Sequence, residues 1–382
     1  MQVYLDNSAT TQPSPSVRKR MEAWMESGWY NPSALYKPAM EAQKQLEETR
    51  RLCLEAAGAP GQRVIFTSGG TEADNLALLG FLKGKRKPGR VLISSLEHPA
   101  VSACVEEIRH LGHQTDEIPA SRDGLVDLAH LERMLDDQVL LIAVMQVNNE
   151  TGVMQPVPEI ARLRDKRAPQ AALHVDGVQG FLRVETAFNA WGLQSYALSG
   201  HKIHALKGTG ALVTAKNHPI RPLIWGGGQE GQLRSGTENS CGIESLGEAI
   251  REYDAAANGR MRELKLRLWE RIHADIPDAL RNGSAEESCL APHILNIALP
   301  PVRSQTLLFA LEGDGVYVSA GSACASRKQK ISPVLRAMGI PTERADCSLR
   351  FSLSPMTTEE EIDYAAERVI FHYETLKKYT RR

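Results

Sequence analysis

The chain has 382 residues, 24% charged and 42% hydrophobic, a balance that supports a sizeable core and excludes an intrinsically disordered chain. Its 45 Lys and Arg against 46 Asp and Glu leave a formal charge of −1, so no global field draws it to a polyanion and direct nucleic-acid binding is not expected. The longest clean apolar run, 139–145, is far short of the roughly 20 residues that span a bilayer, so no membrane partner is expected.

The first residues, Met-Gln-Val-Tyr-Leu-Asp, carry neither the basic nor the apolar stretch of an export signal, and a cytoplasmic location is the expectation. Residues 16–57 are rich in helix formers and are interrupted by Gly28 and Asn31-Pro32-Ser33, which predicts two helices joined by a turn. From about 60 to 215, short β-branched runs alternate with helical patterns, as in βαβ units around a mostly parallel sheet. The predicted strands are 64–67, 91–95, 139–147, 173–175, 196–199 and 211–214. The first five end on polar or Gly-rich clusters. Ligands of open α/β sheets gather at the carboxyl ends of the strands, so these clusters are expected to share one crevice. After Gly242 a helical pattern runs through Ile272, with Leu264, Leu268 and Ile272 as an apolar stripe. Beyond it the spacing predicts a strand at 293–299, a helix at 305–311, short strands at 316–318 and about 349–353, and a final helix from about 359 to 379. Thr358 with Glu361 predicts a capping box for that helix. This is a smaller α+β unit, distinct from the parallel-sheet region.

Several strand ends carry residues suited to chemistry. Phe66-Thr67-Ser68-Gly69-Gly70-Thr71-Glu72 places two glycines and a threonine between a strand and a helix, which suits a phosphate or an ordinary βα turn capped by Thr71. His98 is suited to a general base or to an aromatic platform under a planar cofactor. Asn148-Asn149-Glu150 offers neutral donors. Asp176, followed by Gln179, needs a cationic partner if buried, for which a protonated ring nitrogen is one candidate, or serves as a helix cap. Lys202, in Ser199-Gly200-His201-Lys202, is the residue type that forms Schiff bases in a desolvated pocket, with Lys207 as a rival five residues on. The loop Trp225-Gly226-Gly227-Gly228-Gln229 and Arg234-Ser235-Gly236-Thr237 suits a second phosphate arm or a plain surface loop. Arg350 fits a carboxylate clamp or a structural salt bridge.

The six cysteines show no Cys-x-x-Cys pair and no zinc-ligand spacing, so neither a disulfide framework nor a metal site is expected. Cys324 lies among small residues in Ser319-Ala320-Gly321-Ser322-Ala323-Cys324-Ala325-Ser326, which predicts an accessible, reactive thiol. Cys53 and Cys104 have apolar helical neighbours and are expected in the core.

In this order, Gly69-Gly70-Thr71-Glu72, Glu97-His98-Pro99, Asn148-Asn149-Glu150-Thr151-Gly152, Asp176-Gly177-Val178-Gln179, Ser199-Gly200-His201-Lys202, Arg234-Ser235-Gly236-Thr237 and the Ser319–Cys324 run resemble the NifS-like cysteine desulfurases of the class V aminotransferase group. The resemblance extends from Tyr4-Leu5-Asp6-Asn7-Ser8-Ala9-Thr10-Thr11 to the Arg350 segment. It implies the α/β fold type I of pyridoxal-phosphate-dependent transferases. A large domain, 15–255, would hold a mostly parallel sheet of the seven-stranded type. Residues 1–14 and 256–382 would form a small α+β domain bearing the catalytic-cysteine loop at about 319–333. A homodimer with sites at its interface is implied as well.

By the same resemblance Lys202 would carry pyridoxal 5'-phosphate, Asp176 would pair with its ring nitrogen, Gln179 would bond the ring hydroxyl and His98 would stack on the ring. Gly70, Thr71, Ser199 and His201 would hold the phosphate, joined by Thr237 of the partner subunit. Asn148, also near the cofactor, and Arg350 would bind the carboxylate of L-cysteine. Lys202 or His98 would move protons, and Cys324 would take the sulfur as a persulfide while alanine leaves. The acceptor would be an iron–sulfur scaffold protein or a tRNA-thiolation enzyme. No metal ligand set is implied, and contact with an iron–sulfur cluster would run through Cys324. Selenocysteine lysis or another class V reaction is the rival activity, and a degenerate scaffold the non-enzymatic one. Three departures bear on the acceptor: Asn31-Pro32-Ser33-Ala34-Leu35-Tyr36 stands where the family commonly has Asn-Pro-Ser-Ser-x-His, Arg327, Lys328 and Lys330 follow Cys324, and the last residues are Lys377-Lys378-Tyr379-Thr380-Arg381-Arg382.

Overall fold

The computed structural model describes residues 1–321 and 332–379, so Cys324 and most of its predicted loop lie outside the described residues. In chain order the strands are β1 (Val3–Tyr4), β2 (Arg63–Thr67), β3 (Arg90–Ser94), β4 (Gln114–Ile118), β5 (Val139–Met145), β6 (Ala172–Asp176), β7 (Ser195–Ser199), β8 (Gly210–Thr214), β9 (Leu280–Arg281), β10 (Ile294–Ala298), β11 (Val316–Tyr317) and β12 (Ser348–Ser352). Seven of them form the central sheet in the order β2-β8-β7-β6-β5-β3-β4. Strands β4, β3, β5, β6 and β7 are parallel. Strand β8 runs antiparallel to both β7 and β2, so β2 points the same way as β7. The carboxyl ends of β2, β3, β5, β6 and β7 therefore open on one edge of the sheet, where a doubly covered sheet binds its ligands.

Strands β6, β7 and β8 are buried throughout and β5 at all but one position, which is why each reads as a short apolar run without alternation. Strand β4 was not expected. Its sequence, Gln-Thr-Asp-Glu-Ile, is polar because it is an edge strand paired only with β3, and only Ile118 is buried. Strand β5 ends at Met145, two residues short of expectation. The helical run expected over 242–272 is instead two helices, Ser240–Glu252 and Ala256–Asp275. The break falls at Tyr253, whose backbone is extended, and Asp254, whose carboxylate accepts from the Ala256 N–H at 2.9 Å. Asp is better placed at such a cap than inside a helix.

A second apolar cluster joins the Leu264, Leu268 and Ile272 stripe to Leu295, Ile297, Leu349 and Phe351 of an antiparallel β12-β10-β9 sheet and to the final helix, Glu359–Leu376. That helix begins with the expected Thr358–Glu361 capping box. Val3 and Leu5 belong to this same cluster, because β1 pairs in parallel with β11. The pairing carries the next residues across to the large sheet. The Asn7 side-chain amide donates to the Ser352 carbonyl at 2.8 Å, and the Thr11 N–H donates to the His201 carbonyl at 2.9 Å. Among the described residues no helix is long and apolar enough to cross a membrane.

Candidate active site

At the shared edge of the sheet lies a cavity of about 250 Å³. Its lining includes Gly70, Thr71, His98, Asp176, Gln179, Ser199, His201, Lys202 and Arg350, drawn from the ends of β2, β3, β6 and β7 and from β12. A neighbouring open cavity shares Gly70, Thr71, Ser199 and His201 with it, and exposed Lys207 sits there and not in the first.

Lys202 follows β7 in a single helical turn, Gly200–Lys202. Its Nζ donates to the carbonyls of Ser8 at 2.5 Å and Ala9 at 2.8 Å. Burial, followed by the charge of Arg350, lowers the ammonium pKa to about 8, so a substantial fraction of the amine is neutral near physiological pH. A neutral amine is the form that attacks a carbonyl.

Asp176 ends β6, and its Oδ1 accepts from the Val178 N–H at 2.9 Å, closing the turn. The turn requires Gly177, because a Cβ there would run into the Tyr196 ring. Burial pushes the Asp176 carboxyl upward, opposed by the nearby charges of His98 and Lys202. A cation docked against it would return it to the charged form. His98 caps the next helical turn: the Ala100 N–H donates to His98 Nδ1 at 3.1 Å, which leaves Nε2 for proton exchange. Burial lowers the His98 pKa, with Lys202 acting the same way and Asp176 opposing.

Two more buried carboxyls stand behind this pair. Asp74, which the sequence reading missed, lines the cavity and meets His174 Nε2 at 3.1 Å, while His174 Nδ1 meets Ser195 Oγ at 2.9 Å. Glu97 Oε1 accepts from Ser94 Oγ and from the Met145 N–H, and burial pushes its pKa up to about 8. The fold thus keeps a proton that the unfolded chain releases near pH 4.3, so stability falls as pH rises from there through about 8. Glu97→Gln, neutral at every pH, is expected to flatten the decline of Tm between about pH 6 and 8. Thermal melts across that range check it, and parallel slopes for variant and wild type would show Glu97 ionised in the fold.

The Gly69–Thr71 turn lies tight against the sheet. A Cβ on Gly70 would come within 2.5 Å of Val178 Cγ2, so only glycine leaves the backbone open there. Ser199 Oγ, which lines both cavities, is buried without a hydrogen-bond partner. His201 Nδ1 meets Thr10 Oγ1 at 3.1 Å, and burial brings its pKa down to about 4, keeping the ring neutral. Gln179 lines the cavity while its amide donates to the Ser8 carbonyl at 3.0 Å.

Arg350 is 1% exposed. It donates from Nη1 to the Asn149 carbonyl and from Nη2 to Asp6 Oδ1, at 2.8 and 2.7 Å, while its Nε is buried without a partner. Asn148 departs from expectation. It is absent from the cavity lining, where Asn149 stands instead, and its side chain is consumed locally. The Glu150 and Thr151 N–H groups donate to its Oδ1, and its amide donates to the Leu96 carbonyl. Asn148 therefore shapes the loop and offers no free atom to a ligand. Thr237 is exposed and lines neither cavity of its own chain, while Arg234 pairs with Glu72 at 2.9 Å. Cys324 lies outside the described residues. Asp6, Ser8 and Ala9 were not predicted as site residues. Long-range pairing, as at the Asp6–Ser352 bridge, brings Ser8 and Ala9 to the cavity and Asp6 to Arg350, and that leaves no local signal.

The family model for class V aminotransferases matches residues 3–365. The chain is 35% identical to the cysteine desulfurase IscS of Clostridium botulinum over 96% of this chain and 93% of that one. Among solved structures it resembles a NifS-like protein with a TM-score of 0.90 at 29% identity, covering 98% and 100% of the two chains. It also resembles SspA in complex with cysteine, with a TM-score of 0.81 at 27% identity, covering 94% and 100%. Matched along nearly its whole length in sequence and in fold, the chain belongs to the class V aminotransferase family, among its NifS-like cysteine desulfurases.

Proposed function

We propose that the protein is a pyridoxal 5'-phosphate-dependent cysteine desulfurase that converts L-cysteine to L-alanine and retains the sulfur as a persulfide on Cys324. The observation that carries the reading is the convergence of Lys202, Asp176, His98 and Arg350 on one cavity at the carboxyl ends of the strands. The residues there fit the cofactor. A buried hydroxyl without a partner, Ser199, stands beside a glycine turn in which a side chain has no room, as a phosphate requires. A buried carboxyl, Asp176, has no ion-pair partner within 4.0 Å among the described residues, as a protonated ring nitrogen requires.

When bound, pyridoxal phosphate supplies an aldehyde to which amines add and a ring that accepts the electron pair left by departure of the α-proton. Lys202 would hold the cofactor, Asp176 would keep the proton on its ring nitrogen, Gln179 would bond its hydroxyl and His98 would cover the ring. Gly70, Thr71, Ser199 and His201 would hold the phosphate. Arg350 would bind the substrate carboxylate, exchanging the Asp6 carboxylate for that of the substrate. Lys202 Nζ and His98 Nε2 are the atoms placed to move protons. The Cys324 thiolate would take the substrate sulfur, and the hydrogens of the two thiols end on alanine and the persulfide.

The reading includes a cytoplasmic homodimer in which Thr237 of the partner subunit completes the phosphate site. Exposed Leu35 and Trp225, at 96% and 78%, offer apolar surface for such a contact. An iron–sulfur scaffold protein or a tRNA-thiolation enzyme would receive the sulfur. Alanine released from L-cysteine, with sulfide appearing when a reductant is added, is the expected result for the wild type. Asp176→Asn is expected to retain cofactor and to lose at least about a hundredfold in turnover, because a neutral amide cannot stabilise the ring-nitrogen charge. No alanine from the wild type would overturn the function, and a near-normal Asp176→Asn rate would overturn that residue's role.

A further inference from the structure

Arg183 is a buried cation that the proposed reaction leaves unused. It is 3% exposed, and its Nη2 donates to the backbone carbonyl of Lys202. Its Nη1 is buried without a hydrogen-bond partner, and among the described residues no carboxylate lies within 4.0 Å of the guanidinium. A buried charge without a counter-ion is costly. The backbone adds strain: Leu182, just before it, has a φ of 66°, and His204, two residues beyond Lys202, has a φ of 70°. The Leu182 carbonyl is held by the Asn258 amide at 3.0 Å, and His204 Nδ1 meets the Gln12 carbonyl at 2.8 Å. The Arg183–Lys202 contact is thus flanked on both sides by residues held in unfavourable backbone conformations, Leu182 and His204.

We propose that Arg183 is a positioning residue for Lys202: it clamps the Lys202 carbonyl and, as a cation without a counter-ion, favours the neutral amine at Nζ. The other charges facing Lys202 are Arg350 from β12, Asp6 from the N-terminal segment and Asp176 from β6, with the His98 and His201 rings beside them. Arg350 and Asp6 are paired at 2.7 Å, so their fields largely offset each other. Arg183 has no such offset. Its charge acts on Lys202 in the same direction as burial, and it also pushes buried His204 and His293 toward their neutral forms. The inference rests on Lys202 as the cofactor lysine, since a protonated amine cannot capture an aldehyde.

The test is made on the full chain stripped of cofactor. Trace acetylation with acetic anhydride is measured against pH, with the Lys202 and Lys207 peptides quantified by mass spectrometry. In Arg183→Met the Lys202 midpoint is expected to rise by about one pH unit, so about tenfold less neutral amine is present at pH 7. Arg183→Lys should restore the wild-type midpoint, and Lys207 should not move. A folded Arg183→Met with the wild-type midpoint overturns the proposal. Should that variant fail to melt cooperatively, Arg183→Gln, which keeps a donor without the charge, is read in the same way. Independently of any variant, a wild-type Lys202 midpoint at the ordinary value of about 10.4 also overturns it. Borohydride fixation of added pyridoxal phosphate on Lys202 reads the cofactor assignment separately, so the two failures are distinguishable.

Discussion

Lys202→Ala is expected to abolish cofactor capture, seen as loss of visible absorbance after incubation with pyridoxal phosphate, and to reduce turnover by about 10⁴-fold or more. The effect is chemical because, among the described residues, no other amine lines the cavity that holds Asp176 and His98. The structural cost is small. The side chain gives up two hydrogen bonds to the Ser8 and Ala9 carbonyls, and the fold is relieved of burying an ammonium whose pKa is already down at about 8. The Tm is therefore expected to move by only about a few degrees. Lys207→Ala is the matched control, since Lys207 is exposed in the neighbouring cavity. Loss of cofactor in Lys207→Ala with retention in Lys202→Ala would reverse the choice of lysine.

Cys324→Ser carries the other large effect and separates desulfuration from the rest of class V chemistry. The variant is expected to take up cofactor and to bind L-cysteine, because those steps use Lys202 and Arg350. Release of alanine is expected to fall to background, since an alcohol is far weaker than a thiolate as a nucleophile toward sulfur. Three of the other thiols are poor substitutes. Cys53 and Cys104 are buried, and burial pushes their pKa values to about 12 and about 11, while Cys347 is also buried and raised. Quantifying alanine and bound cofactor in the same preparation checks the prediction, and full alanine release by the variant would refute it.

The sheet was legible wherever a strand is buried on both faces. The runs expected to end at 67, 175 and 199 end at Thr67, Asp176 and Ser199, and the site candidates come with them. Strand β4 was not legible, because an edge strand facing solvent carries the polar residues that sequence reading assigns to a loop. The site was read through its strand ends, which is why Asp6, Ser8 and Ala9 escaped: only pairing with residues far along the chain, at Val316, Ser352 and His201, carries their segment to Lys202. Asp74 escaped for a different reason, since a lone acid within the helix Gly70–Asn75 looks like an ordinary solvent-facing residue. Asn148 was misread although its signal was present. In Asn148-Asn149-Glu150-Thr151 the side-chain oxygen closes its own turn, a competition with ligand binding that Asn commonly settles in favour of the backbone.

The most direct test of the account is the destination of the sulfur. The cofactor-loaded protein is incubated with L-cysteine labelled at sulfur, freed of small molecules without reductant, digested and measured by mass spectrometry. The account predicts one added labelled sulfur on the peptide containing Cys324, removed by thiol reductant and absent from Cys324→Ser. Labelled sulfur on Cys241, Cys289 or Cys347 instead, or alanine formed with no peptide carrying sulfur, would contradict it.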